Sequence, residues 1–300
     1  MLELSKLSGI KKISELSVLA AREQYNKSSK ERQKFIFKVG SIQEYLIRSD
    51  YHKIKARVYK PCQVAKTELL PALIYFHGGG HVLGNLETHD QIARNFCTLA
   101  DCVVVAIDYR LAPEHPFPAA ATDAFNSLEW VIYNKGSLKI DCSRIAVGGD
   151  SAGGNLAAIC ALYSLKYREF RLCFQLLIYP VIDMTFSSES HQLFSSGYGI
   201  LDSSTDKWFR KHYIPNQNDW RNWMASPLFA KSHNGLPRTL IVLAELDMLH
   251  DEGAEYHRVL LNANVNSRLL VYEGMIHGFI SAPNILNKAM DAHVQIAAEL

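Results

Sequence analysis

The feature that most restricts the fold of this chain is a set of short apolar runs that do not alternate. Segments 103–109, 144–148, 174–179 and 239–245 are almost wholly apolar. A strand with one wetted face alternates apolar and polar residues, so an unbroken apolar strand must be covered on both faces, as in a parallel sheet between helices. Further β-rich runs lie at 42–48, 54–60, 72–77 and 268–272, and helical candidates stand between the runs at 89–100, 119–134, 155–168, 251–263 and 284–300. Strands alternating with helices select the α/β class: a mostly parallel sheet of eight strands with helices on both faces. The N-terminal stretch carries Leu7, Ile10, Ile13, Leu16, Leu19 and Ala20 at three- and four-residue spacing, which predicts an amphipathic helix that packs on something later in the chain.

One interval breaks the rhythm. Between Pro180 and Leu240 lie about sixty residues rich in Ser, Trp, Tyr and Asn, including Trp208, Phe209, Tyr213, Trp220 and Trp223. An insertion of that length between strands is usually functional or a lid. Its aromatics can form a small core of their own or line a substrate pocket.

Composition excludes several functions. With 32 basic and 30 acidic residues the net charge is +2, so there is no basic face to bind nucleic acid. No apolar run approaches the ~18 residues of a membrane helix. The N-terminus scatters Lys6, Lys11 and Lys12 among apolar residues, with no continuous apolar core and no small-residue cleavage site, so the expectation is an unprocessed cytoplasmic protein. The six cysteines, Cys62, Cys97, Cys102, Cys142, Cys160 and Cys173, show no metal-site spacing, and they are expected to be reduced, buried and structural. No cofactor or metal is implied: there is no His-Glu-x-x-His and no glycine loop of the phosphate-binding type after a strand. Oligomeric state is left open, a homodimer being compatible with the sequence.

The chemistry is carried by three segments. Gly149-Asp150-Ser151-Ala152-Gly153 lies where a buried strand meets a helix, the setting in which a sharp turn presents a serine oxygen above the sheet. His77-Gly78-Gly79-Gly80 follows another apolar strand, where glycines expose backbone N–H groups that can hold an oxyanion together with the amide of Ala152. A serine nucleophile needs a base and the base an acid, and both follow in chain order. His277 lies in a loop past the strand at 268–272, and Asp247 follows the strand at 239–245, on the same carboxyl edge as Ser151. Asp251 competes for the acid role, although it fits the N-cap of the next helix, and Glu245 is a more distant candidate.

These residues resemble the hormone-sensitive-lipase-like branch of the α/β-hydrolases over about residues 70–280. The likeness rests on the glycine loop, on Asp108-Tyr109-Arg110-Leu111-Ala112-Pro113-Glu114-His115-Pro116-Phe117-Pro118, on the serine turn through Gly154-Asn155, and on the Asp247 and His277 segments. Residues 77–90 are most similar to bacterial acetyl esterases. The resemblance implies Ser151 as nucleophile, His277 as base, Asp247 rather than Asp251 as acid, and the amides of Gly79, Gly80 and Ala152 as the oxyanion hole. It further implies a catalytic domain of residues 41–182 and 236–300 under a cap of residues 1–40 and 183–235. His77 and residues 113–118 would then support the glycine loop. His81 stands where an aromatic is common, and Met248 where a proline is common. The expected activity is cofactor-free hydrolysis of small acetyl to butyryl esters. An amidase or peptidase, or a binding protein without chemistry, is the alternative on the same fold.

Overall fold

The computed structural model describes residues 11–33, 37–49, 52–62, 69–167, 170–198 and 201–300. Eight strands form one sheet: β1 (Ser41–Arg48), β2 (Lys53–Lys60), β3 (Leu70–Phe76), β4 (Val103–Asp108), β5 (Ile140–Asp150), β6 (Phe174–Ile178), β7 (Arg238–Leu246) and β8 (Ser267–Ile276). Their spatial order is β1-β2-β4-β3-β5-β6-β7-β8. The β1/β2 and β2/β4 pairs are antiparallel, and every other pair is parallel.

The helices are α1 (Val18–Arg32), α2 (Asp90–Leu99), α3 (Ala119–Leu138), α4 (Ala152–Ser164), α5 (Glu189–Leu193), α6 (Ser203–Tyr213), α7 (His250–Asn262) and α8 (Asn287–Glu299). The apolar strands are buried on both sides, as their lack of alternation requires. In β3 and β4, Ile74, Phe76, Val105 and Ile107 face the cluster built with α3, α4 and α7, while Leu73, Tyr75, Val104 and Ala106 face α2 and α8.

Several expectations are corrected. The N-terminal pattern does not form one helix face: residues 13–15 make a 3₁₀ turn, α1 begins only at Val18 behind the Ser17 cap, and Leu19 is 69% exposed. Leu7 and Ile10 lie outside the described residues. The long interval contains α5 and α6, which the spacing of its aromatics did not reveal; Asp202 caps α6 by accepting from the Thr205 amide. Of the cysteines, Cys97, Cys102 and Cys160 are buried, but Cys62 and Cys173 are exposed; all six are free. Among the described residues no helix is long and apolar enough to cross a membrane.

Candidate active site

Strand register assembles the site. Phe76 is level with Gly149 across the parallel β3/β5 pair, so the loop that begins at His77 emerges beside the turn that carries Ser151. The β7/β8 pair runs with a constant offset until Ala244 meets Tyr272, but Leu246 then meets Ile276, two residues further along β8 than a regular ladder gives. This irregularity brings His277 level with Asp247. Glu245, the distant candidate for the acid, instead holds the irregular turn: its carboxylate accepts the Gly274 amide at 2.7 Å, and Gly274 has φ +70°.

Ser151 sits at the head of α4 with φ 55° and ψ −118°, a conformation that costs an L-residue free energy. It occupies the N-cap, where serine usually accepts a hydrogen bond from its own helix, yet its hydroxyl makes no cap bond. Ser151 Oγ lies 2.9 Å from His277 Nε2, and His277 Nδ1 lies 2.7 Å from Asp247 Oδ2. The other Asp247 oxygen accepts the Leu249 amide at 3.0 Å, and both Asp247 and His277 are buried. Asp251 is not the N-cap that its position suggests. It stands inside the first turn of α7, where its carboxylate accepts the Ser190 amide at 2.8 Å and meets His250 at 2.9 Å, away from His277.

The turn is tight enough that a Cβ at Gly153 would lie 1.9 Å from the Phe76 carbonyl oxygen. At Gly80, with φ +61°, a Cβ would fall 2.2 Å from the Phe209 ring of α6, so this glycine lets the insertion close directly onto the loop backbone. Among the described residues the amides of Gly79, Gly80 and Ala152 donate to no protein acceptor. These N–H groups are therefore available to an oxygen at Ser151, reinforced at Ala152 by the positive end of the α4 dipole.

The loop is anchored on several sides. Asp150, next to the serine, accepts the Gly78 amide at 3.1 Å and the Tyr75 hydroxyl at 2.7 Å, with His89 Nε2 3.4 Å away. Burial pushes the Asp150 carboxyl up, but the His89 and Tyr75 contacts outweigh it and hold its pKa below the usual value. The Tyr109 hydroxyl donates to the His77 carbonyl at 2.6 Å, and the two rings stack at 4.3 Å. The Ala112 amide, just before the proline-rich segment, donates to the His81 carbonyl at 2.9 Å, just after the glycines. His81 stacks on Tyr213 at 3.8 Å, and burial lowers its pKa to about 3, which keeps the ring neutral. Sequence reasoning missed Arg22 of α1. Its Nε donates to the Val82 carbonyl at 2.9 Å, one Nη to the Ala112 carbonyl at 2.9 Å, and both Nη atoms grip Glu114 at 2.7 Å. Nothing in the local pattern around Arg22 marks it, because its partners lie sixty to ninety residues away.

A cavity of about 80 Å³ opens at Ser151 and His277. The insertion contributes Phe209, Arg210 and Tyr213 to its wall, and α1 contributes Tyr25 and Arg32. Trp208, Trp220 and Trp223 pack on the main core rather than forming a small core of their own, while Phe209 and Tyr213 line the cavity. Among the described residues no group of three or more His, Cys, Asp or Glu could hold a metal ion.

Comparison with known proteins agrees with this architecture. The model of a family described as having the alpha/beta hydrolase fold matches residues 73–281. The chain is 37% identical over 258 residues to an ethyl acetate hydrolase of Pseudomonas putida, covering 85% of this chain and 80% of that protein. It is 38% identical to a carboxylesterase of Mycobacterium tuberculosis, covering 80% of this chain and 75% of that one. The solved structure of an esterase from Pyrobaculum calidifontis superimposes with a TM-score of 0.90 at 41% identity, covering 95% of this chain and 93% of the other. A complete α/β-hydrolase sheet, a serine at its strand-to-helix turn and relatives named as esterases across most of the length together make this chain a member of the hormone-sensitive-lipase-like esterase family of α/β-hydrolases.

Proposed function

We propose that the protein hydrolyses short-chain carboxylic esters, acetyl to butyryl, through an acyl-enzyme on Ser151. The observation that carries this reading is the unbroken hydrogen-bond chain from Ser151 Oγ to His277 at 2.9 Å and on to Asp247 at 2.7 Å. His277 Nε2 takes the serine proton as Oγ attacks the ester carbonyl, and Asp247 stabilises the imidazolium that forms. The oxyanion receives the amides of Gly79, Gly80 and Ala152, each such donor being worth roughly 3–4 kcal/mol in a comparable site. His277 returns the proton to the leaving alcohol. It then activates a water, which attacks the acyl carbonyl and frees the acid and Ser151.

The preference for short acyl chains is supported by the name of the Pseudomonas relative. We assign residues 1–40 and 183–235 to a cap over a catalytic domain of residues 41–182 and 236–300. The Lys12–Asp202 ion pair at 2.8 Å and the Ser14–Ser204 contact at 2.9 Å support this, since they join the two parts of the cap. The test is the hydrolysis rate of p-nitrophenyl esters from acetate to palmitate, with Ser151→Ala beside the wild type. A maximum at two to four acyl carbons that disappears in the variant is expected; a maximum at long chains, or an active variant, overturns the proposal.

A further inference from the structure

The cavity wall near Ser151 is largely apolar, with Leu83, Met184 and Phe209 among its residues, yet α1 adds two polar groups to it, Tyr25 and Arg32. Being seven residues apart, they lie two turns along one helix face. Among the described residues neither the Arg32 guanidinium nor the Tyr25 hydroxyl has a hydrogen-bond or ion-pair partner, and Arg32 Nε is buried.

The other charges on this wall are matched. Arg210 meets Asp206 at 2.8 Å and lies over the Phe186 ring at 4.1 Å, and Asp150 is occupied by Tyr75 and Gly78. Arg32 is thus the one charged side chain of the cavity wall, among the described residues, with no hydrogen-bond or ion-pair partner. Its backbone is held, the Arg32 carbonyl accepting the Asn284 amide at 3.1 Å while Gln33 donates to Ser29 at 2.7 Å and to the Glu87 carbonyl at 2.9 Å. Burial and the charge of Asp150 push the Tyr25 phenol up to about 12 against the pull of Arg32, so it keeps its proton and remains a donor. An unpartnered guanidinium, with a phenol hydroxyl on the same helix face and the same cavity wall, offers a carboxylate opposite charge and N–H and O–H donors.

We propose that Arg32, with Tyr25 on the same cavity wall, binds a carboxylate on the substrate, so that the preferred esters are monoesters of diacids or acyl esters of hydroxy acids. The proposal rests on ester hydrolysis at Ser151. Two matched pairs test it with the full-length protein in a pH-stat: monoethyl succinate against ethyl butyrate, and 4-acetoxybutyrate against butyl acetate. The carboxylate member of at least one pair is expected to have a kcat/KM at least tenfold above its neutral partner, through KM. In Arg32→Met that ratio should fall at least tenfold, the neutral ester in the same preparation serving as the internal reference. Tyr25→Phe should lower the same ratio about threefold, which gives a second reading if Arg32→Met does not fold. Hydrolysis of the neutral esters with no carboxylate preference in either pair, or a preference that survives in Arg32→Met, overturns this proposal alone. No hydrolysis of any of the four esters overturns the underlying esterase reading and this proposal with it.

Discussion

The backbone of Ser151 makes a prediction that separates chemistry from stability. At φ 55° and ψ −118° an L-residue holds its Cβ against neighbouring backbone, at a cost of about 1–3 kcal/mol. Glycine removes that cost but enlarges the unfolded ensemble, which offsets about 0.4–1 kcal/mol. Ser151→Ala and Ser151→Gly both delete the hydroxyl and its bond to His277, so that loss cancels when the two variants are compared with each other. Taken at the middle of these ranges, Ser151→Gly should therefore be the more stable of the pair by about 1–2 kcal/mol. With an unfolding entropy near 2.1 cal/mol/K per residue, 300 residues give roughly 0.6 kcal/mol/K, so the difference corresponds to ~2–3 °C in Tm. Calorimetric scans of both variants at one protein concentration measure it, and turnover of a butyrate ester should be lost in both. A Ser151→Ala variant as stable as Ser151→Gly would refute the strained turn, and turnover near wild type in either would refute the nucleophile.

Further outcomes follow from the same contacts. Asp247→Asn should lower kcat by about 10³–10⁴-fold with the fold intact, because the amide favours the wrong His277 tautomer; steady-state kinetics with a circular-dichroism control checks it. Gly153→Ala places a Cβ 1.9 Å from the Phe76 carbonyl oxygen and should destabilise the protein by about 3 kcal/mol or more, read as a lower denaturation midpoint or as loss of soluble protein. Arg22→Ala removes the contacts that pin the backbone at Val82 and Ala112, and kcat should fall roughly ten- to hundredfold with a smaller change in KM, since the loop amides lose their aim. The hydrogen bonds from Arg22 lower Glu114 from 4.5 to about 2, so this latch is fully formed above pH 4.5 and is lost as pH falls toward 2. In thermal unfolding between pH 6 and 3, the wild-type advantage over Glu114→Gln should shrink as the pH drops; a constant difference would contradict the pairing.

The sheet was legible because its information is local. Val103 to Ile107 could be read as a doubly buried strand from their own side chains, and the serine turn from five consecutive residues. The placement of Asp247 and His277 was legible for the same reason, since each follows a strand of a parallel pair. What escaped was set by distant partners. The amphipathic spacing of Ile13, Leu16 and Leu19 counts toward one helix, but the chain turns at residues 13–15 and leaves Leu19 in solvent. Helix α5 spans only Glu189–Leu193 with Leu193 73% exposed, and the inward face of α6 includes the polar Thr205 and Asp206 beside Phe209 and Tyr213, so neither stands out as an apolar stripe. Arg22 and Arg32 look like ordinary surface cations until the loop and the cavity wall are built around them.

The irregular end of the β7/β8 ladder has a consequence for how this stretch can change. Straightening the same residues into a regular ladder would give a more uniform sheet edge, but it would set Met275 level with Asp247, carry the histidine roughly 6–7 Å, two strand steps, beyond it, and break its contact with Asp247. Ladder regularity and proton transfer make opposing demands on the same few residues. Glu273 and Gly274 are exposed, and apart from the backbone that Gly274 must adopt, their side chains are free to vary. The constraint on this edge of the molecule is on the number of residues rather than on their identity, so single deletions here should be far more damaging than most substitutions.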